Sequence, residues 1–169
     1  MLTAVAFLLA LSAIAECAEY GPVCSSIRYR VYTDQLLWVE AEAKCKELGG
    51  SLAKLADKER DDLVRNYLND EGLGDEVDAG YWVGLNDRKV EGTFVWLDGE
   101  KWLECGSYSN WAPGEPNNNE KHSDDGQDCV QLRSKKQHRW DDDFCEHRPK
   151  GYVCQFIECG VDCERCIGI

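Results

Sequence analysis

The chain has 169 residues, 10 of them cysteine, and a formal net charge of −13 with a sequence pI near 4.6. The length suits one ordinary domain with processing segments, and the acidity disfavours nucleic acid and anionic membrane surfaces, whose phosphates are held by clustered Lys and Arg. An acidic surface serves solubility, or some of its carboxylates serve a hard cation; composition alone does not separate the two.

The chain opens MLTAVAFLLALSAIAECAEY. The uncharged apolar run from Ala4 to Leu11, followed by Ala13-Ile14-Ala15, reads as a secretory signal over residues 1–15 with a small-residue cleavage site. That run is shorter than the roughly 20 residues a bilayer needs, and no later segment reaches that length, so no membrane insertion is expected. All 10 cysteines follow residue 15. An even number bound for an oxidising compartment predicts a secreted, extracellular protein with a disulfide framework. Residues 16–28 form a short cysteine-containing segment ahead of the main domain.

In TDQLLWVEAEAKCKELGG, Leu37, Ala41, Cys45 and Leu48 fall at helical spacing, with Thr33 or Asp34 as cap and Gly49-Gly50 as stop. SLAKL reads as a short alternating strand. Asp57 caps a second helix, KERDDLVRNYLND, with Leu63, Val64, Tyr67 and Leu68 as its stripe. YWVGL and TFVWL are strand-like, with Asp98-Gly99 as a hairpin turn, and DCVQL and GYVCQF are later strands. Helices first and antiparallel strands after them predict an α+β domain.

Trp102 to Gly126 carries no periodic segment. So long an irregular stretch is functional or disordered, and Trp102, Tyr108 and Trp111 argue for order. Inside it, GEPNNNEKHSDDGQDC holds an excess of polar residues from Asn117 to Asp125 that turn chemistry alone does not require. Residues 157–169 are a separate cysteine-rich tail. Cys159, Cys163 and Cys166 have metal-like spacing there, but secretion argues against the rival zinc reading.

In this order, WVEAEAKC, GGSLAKL, WVGLND, EGTFVWLDG, SNWAPGEPNN, DCVQL, RWDDDFC and GYVCQF resemble a C-type lectin-like domain over residues 29–156. The resemblance implies a double-loop fold: two helices, small antiparallel sheets and a long calcium-binding loop. It implies disulfides Cys45–Cys154 and Cys129–Cys145, a buried core strand at Trp82–Leu85, a packing role for Trp140 and a cis Glu115-Pro116 bond. It also implies a principal calcium site at Glu115, Asn117, Gln127, Asp141 and Asp142, the same five residues meeting a sugar. An accessory calcium site falls on Asp87, Glu91, Asn118 and Asp128, for which strand-end turn chemistry and a solvated loop are the plainer reading. The chemistry is consistent, because calcium takes about 6–8 oxygen ligands gathered by irregular backbone.

Two positions depart from the family pattern: Gln127 stands where glutamate is usual, and Asp141 where asparagine is usual. The formal charge is unchanged, while the donor and acceptor roles are exchanged. Glu115-Pro116-Asn117 implies mannose, fucose or N-acetylglucosamine. The exchange opens a galactose-like arrangement, with the tripeptide keeping the mannose type ahead. Asp124 and Asp125, in a loop longer than many relatives have, supply a compensating carboxylate or a polar turn.

The expected function is that of a secreted, calcium-dependent lectin recognising vicinal hydroxyls of a hexose, with opsonin, agglutinin and matrix component all compatible. Cys17, Cys24, Cys105, Cys159, Cys163 and Cys166 are unassigned, and Arg28 stands where the usual partner of Cys24 would be. Either three intrachain bridges form, or bonds between chains make a multivalent homo-oligomer, from which weak sugar binding would gain. Catalysis is not expected: His122, His138 and His147 show no HExxH spacing and read as surface residues, with His122 within reach of a sugar. The alternative is a lectin-like matrix component that binds protein or mineral without sugar.

Overall fold

Helix α1, Trp38–Glu47, starts where the Leu37 N–H donates to Glu40 Oε2 at 2.9 Å and stops at Gly49, whose φ of +83° suits glycine. The computed structural model describes residues 24–73, 80–103, 105–121 and 126–159, with side chains from 26 to 157. The expected signal segment, Cys17, His122, Asp124, Asp125, Cys163 and Cys166 lie outside the described residues, as do the side chains of Cys24 and Cys159. Thr33 and Asp34, expected as caps, belong instead to strand β1, Cys24–Leu36. The buried face of α1 is Trp38, Ala41 and Cys45, and Leu48 is 41% exposed. The reason is Trp38, whose indole donates to the Val83 carbonyl at 2.9 Å and fixes which side of the helix faces the sheet.

Asp57 caps α2, Lys58–Asp70, accepting from the Arg60 N–H at 2.9 Å. Its expected apolar stripe is only half correct. Val64 and Leu68 are buried, while Leu63 and Tyr67 are 59% and 50% exposed. The third member of the buried face is a carboxylate, Asp61.

The strands are β2 (Ser51–Leu52), β3 (Gly80–Asn86), β4 (Val95–Trp96), β5 (Cys129–Arg133), β6 (Arg139–Asp143) and β7 (Lys150–Cys159). They form one sheet in the order β1-β7-β3-β5-β6, with β2 on β7 and β4 on β3. The α+β class with two helices stands, but the sheet is mixed. β3–β5, β5–β6, β3–β4 and β2–β7 are antiparallel, whereas β7 returns from far along the chain to lie parallel to β3. Every residue of β3 is buried, Trp82 to Leu85 included. Both implied disulfides form: Cys45–Cys154 ties α1 to β7, and Cys129–Cys145 closes the β5–β6 end. Contacts divide the chain into a unit of residues 29–156 and a terminal unit of 1–28 with 157–169. Among the described residues no helix is long and apolar enough to cross a membrane.

The long irregular stretch is ordered by its aromatics. Trp102, Tyr108 and Trp111 pack against the core cluster, and Trp111 meets Phe94, Trp102 and Trp140 edge-on at centroid distances of 5.0, 5.8 and 5.7 Å. Each such pair contributes about 0.5–1.5 kcal/mol beyond area burial. His138, expected at the surface, is buried instead, with ring nitrogens on Asn69 Oδ1 at 2.8 Å and the Leu73 carbonyl at 3.0 Å. Burial holds its pKa below the usual imidazole range.

Candidate functional site

The site is built where β6 meets the irregular loop. Trp140 donates its backbone N–H to the Asn110 carbonyl at 3.0 Å and accepts from the Ala112 N–H at 2.8 Å, so the loop runs beside β6. Underneath, Asp61 Oδ1 accepts from the Trp140 indole at 2.7 Å. Its Oδ2 accepts from the Tyr108 hydroxyl at 3.0 Å and from Asn110 Nδ2 at 2.6 Å. One helix carboxylate thus fixes both the loop and the strand. The Glu115 N–H then bonds the Ala112 carbonyl at 3.0 Å, and the Glu115-Pro116 bond is cis. The chain that follows is caught by Asp142, which accepts from the Asn117 N–H at 3.0 and 3.1 Å and from the Asn118 N–H at 2.7 Å.

Glu115, Asn117 and Asp142 therefore come together. Asn117 Nδ2 donates to Glu115 Oε2. Burial raises the Glu115 pKa, and the neighbouring carboxylates of Asp141 and Asp142 raise it further. Burial raises Asp142 too, against the pull of its backbone donors. The other two expected ligands are engaged elsewhere. Asp141 accepts from Gln131 Nε2 at 3.0 Å and from Arg133 Nη1 at 2.9 Å. Gln127 spends both ends of its amide: Oε1 accepts from the Asn119 N–H at 2.9 Å, and Nε2 donates to Asp143 at 3.2 Å.

Asp87, Glu91, Asn118 and Asp128 share a second pocket of about 620 Å³. Asp87 is 2% exposed; its Oδ2 accepts from the Gly92 N–H at 2.8 Å, while Oδ1 is buried with no hydrogen-bond partner. Burial pushes its pKa up to about 7, with Glu91 and Asp128 adding to the push. Glu91 is raised by burial and by Asp128. Asn118 is fixed in turn, its Oδ1 accepting from the Gln127 N–H at 2.7 Å. A Cβ on Gly126 would stand 1.8 Å from that oxygen, so this turn requires glycine.

The described residues hold no preformed group of three or more His, Cys, Asp or Glu side chains arranged as a metal centre. Their donor chemistry nonetheless fits a hard cation. Carboxylate and amide oxygens predominate, like charges crowd Glu115, and Asp87 keeps an orphaned oxygen. Arg133, Gln131 and the Asp143–Lys150 pair stand beside the site without being among its expected ligands. Strand alternation holds the signal: in DCVQLR, Gln131 and Arg133 share one face, and the register sets Gln131 opposite Asp141.

A family model described as "Lectin C-type domain" matches residues 34–156. The low affinity immunoglobulin epsilon Fc receptor of Mus musculus is 36% identical over 118 residues, 70% of this chain and 30% of that protein. A perlucin-like protein of Mytilus galloprovincialis is 32% identical over 117 residues, 69% of this chain and 68% of that one. Among solved structures, the cow C-type carbohydrate-recognition domain of CD23, determined in the presence of a GlcNAc2Man3 oligosaccharide, superposes with a TM-score of 0.64. Its sequence identity is 29%, and the match covers 79% of this chain and 90% of that one. The chain thus spans under a third of the receptor it matches.

Proposed function

The chain belongs to the C-type lectin domain family, and from that premise we propose that it is an extracellular, calcium-dependent carbohydrate-binding protein whose site is the cis-proline loop against β6. The observation that carries this reading is the convergence of Glu115, Asn117 and Asp142, with Asp141 alongside and too few internal counter-charges for their carboxylates. Glu115, Asn117 and Asp142 would hold the ion, with Asp141 and Gln127 contributing oxygens. Bound calcium supplies a positive centre that takes up sugar hydroxyl oxygens.

The chain's own residues do the rest. Asp142 orders the backbone at Asn117 and Asn118, and Glu115 and Asn117 present one acceptor and one donor at the exposed loop. That pair is the family's mannose-type arrangement, and it supports mannose, fucose or N-acetylglucosamine. The galactose reading loses support, because the Gln127 amide hydrogens face Asp143 and Asp141 is held by Arg133. An accessory ion at Asp87, Glu91, Asn118 and Asp128 is supported by the orphaned Asp87 oxygen. Exposed Cys105, in no disulfide among the described residues, supports linkage between copies. The two formed disulfides support an extracellular location.

The test is retention on a mannose column in calcium, with elution by chelator and by free mannose. Elution by galactose in preference to mannose would transfer the reading to the galactose class. A second reading has its own observation: two of the five expected ligands are satisfied within the protein, which suits a lectin-like module that binds protein or mineral. Binding to calcium carbonate without any response to sugar would favour it.

A further inference from the structure

A pocket of about 270 Å³ adjoins the proposed sugar site. It is shared between three members of the expected metal set, Asn117, Gln127 and Asp141, and four cations, Lys121, Arg133, Arg148 and Lys150. Among the described residues its anionic lining is Asp141 and Asp143, so four positive charges there face two negative ones in a chain whose net charge is −13. Nonspecific basicity cannot account for that local reversal of sign.

The cations are not equivalent. Arg133 pairs with Asp141 at 2.9 Å and Lys150 with Asp143 at 2.8 Å. Lys150 is 4% exposed and lies 5.0 Å over the Trp82 ring, so it is part of the framework. Lys121 and Arg148 are exposed, and neither makes an ion pair among the described residues. Lys121 is placed by the loop: its N–H bonds Asn119 Oδ1 at 2.9 Å, and Asn119 bonds Gln127. Arg148 is placed by the start of β7, two residues before Lys150. Among the described residues two cations are thus neutralised within the wall and two stand at its rim. Any divalent ion held by Asp141 would draw on the carboxylate that neutralises Arg133, adding to the surplus.

We propose that this pocket is a subsite for the acidic substituent, a sulfate or a carboxylate, of a glycan whose hydroxyls engage the neighbouring metal set. The idea rests on the carbohydrate reading above. Arg148 presents a planar guanidinium suited to two parallel bonds to either oxyanion, and Lys121 adds a point charge.

The experiment is binding of the full chain, in calcium, to an array that pairs each neutral sugar with its sulfated and its carboxylated form. The acidic member is expected to bind about 3–10-fold tighter than its neutral partner. That advantage shrinks as salt is raised to about 0.5 M, and it vanishes in the double variant Lys121→Glu/Arg148→Glu with neutral binding unchanged. A preference confined to sulfates or to carboxylates supports the subsite and identifies its ligand. Neutral sugars binding as well as acidic ones, or an acidic advantage that survives in the double variant, overturns the subsite and leaves the lectin reading intact. Failure of both neutral and acidic sugars overturns both readings.

Discussion

Asp61 on α2 and Asp87 at the end of β3 are both buried aspartates, and burial raises the pKa of each. Their surroundings differ. Asp61 accepts from an indole, a phenol and an amide, with Arg65 3.6 Å away. Asp87 has one backbone donor to Oδ2, an unpartnered Oδ1, and Glu91 and Asp128 as like-charged neighbours. Glu115 resembles Asp87 in this respect, being crowded by Asp141 and Asp142. A carboxylate whose oxygens are all met by protein donors is structural. One left short beside other carboxylates destabilises the fold unless a cation arrives, and such places are where function is to be sought.

The sharpest way to break that contrast is to neutralise each member and compare signs. Asp61→Ala strips acceptors from three donors and is expected to lower stability by about 3–5 kcal/mol, read as a fall in the urea midpoint. Asp87→Asn is expected to do the opposite in chelator, raising stability at pH 8 by about 1–3 kcal/mol through relief of a poorly solvated charge, while abolishing calcium uptake in its pocket. Equal signs for the two variants would erase the distinction.

Acidity sharpens the comparison further. The folded pKa of Asp87, near 7, stands above its unfolded value of about 4. Its contribution to stability is therefore full below the unfolded pKa and is lost as pH rises through 7. From this group, protein in chelator is more stable at pH 5.5 than at pH 8. Calcium needs the ionised carboxylate, so its affinity in this pocket runs the other way, rising about tenfold from pH 6 to pH 8. Thermal melts with and without calcium across that range read both trends. The smallest effect is expected at Arg133→Gln, which releases the buried Asp141 from an ion pair whose arginine side chain is 35% exposed, and tightens calcium about 2–5-fold in titration.

Much of this architecture is legible in local pattern. Period marks both helices, at Ala41/Cys45 and Val64/Leu68, capping marks only the second, at Asp57, and the family motifs locate both disulfides and the cis-proline loop. What escapes has a common physical origin in pairing across long sequence distances. RWDDD is a poor strand former by composition, yet it becomes β6 because it pairs with β5 and because Trp140 reaches Asp61, 79 residues away. Asp61 looks like a solvent-facing helix residue until its three donors are brought to it. Arg133 and Gln131 become visible only when the β5–β6 register sets them beside Asp141. Leu48 and Leu63 mislead for the converse reason, since apolar spacing fixes a helical period but not which face the sheet receives.

The central claim is that Glu115, Asn117 and Asp142 await a divalent ion. It is tested most directly by isothermal titration of calcium into the chelator-stripped full chain at pH 7.5. Saturable uptake with release of protons, weakened by Glu115→Gln and by Asp142→Asn, is the predicted result. No uptake up to about 10 mM calcium, beyond the weakest range of extracellular calcium modules, would contradict it.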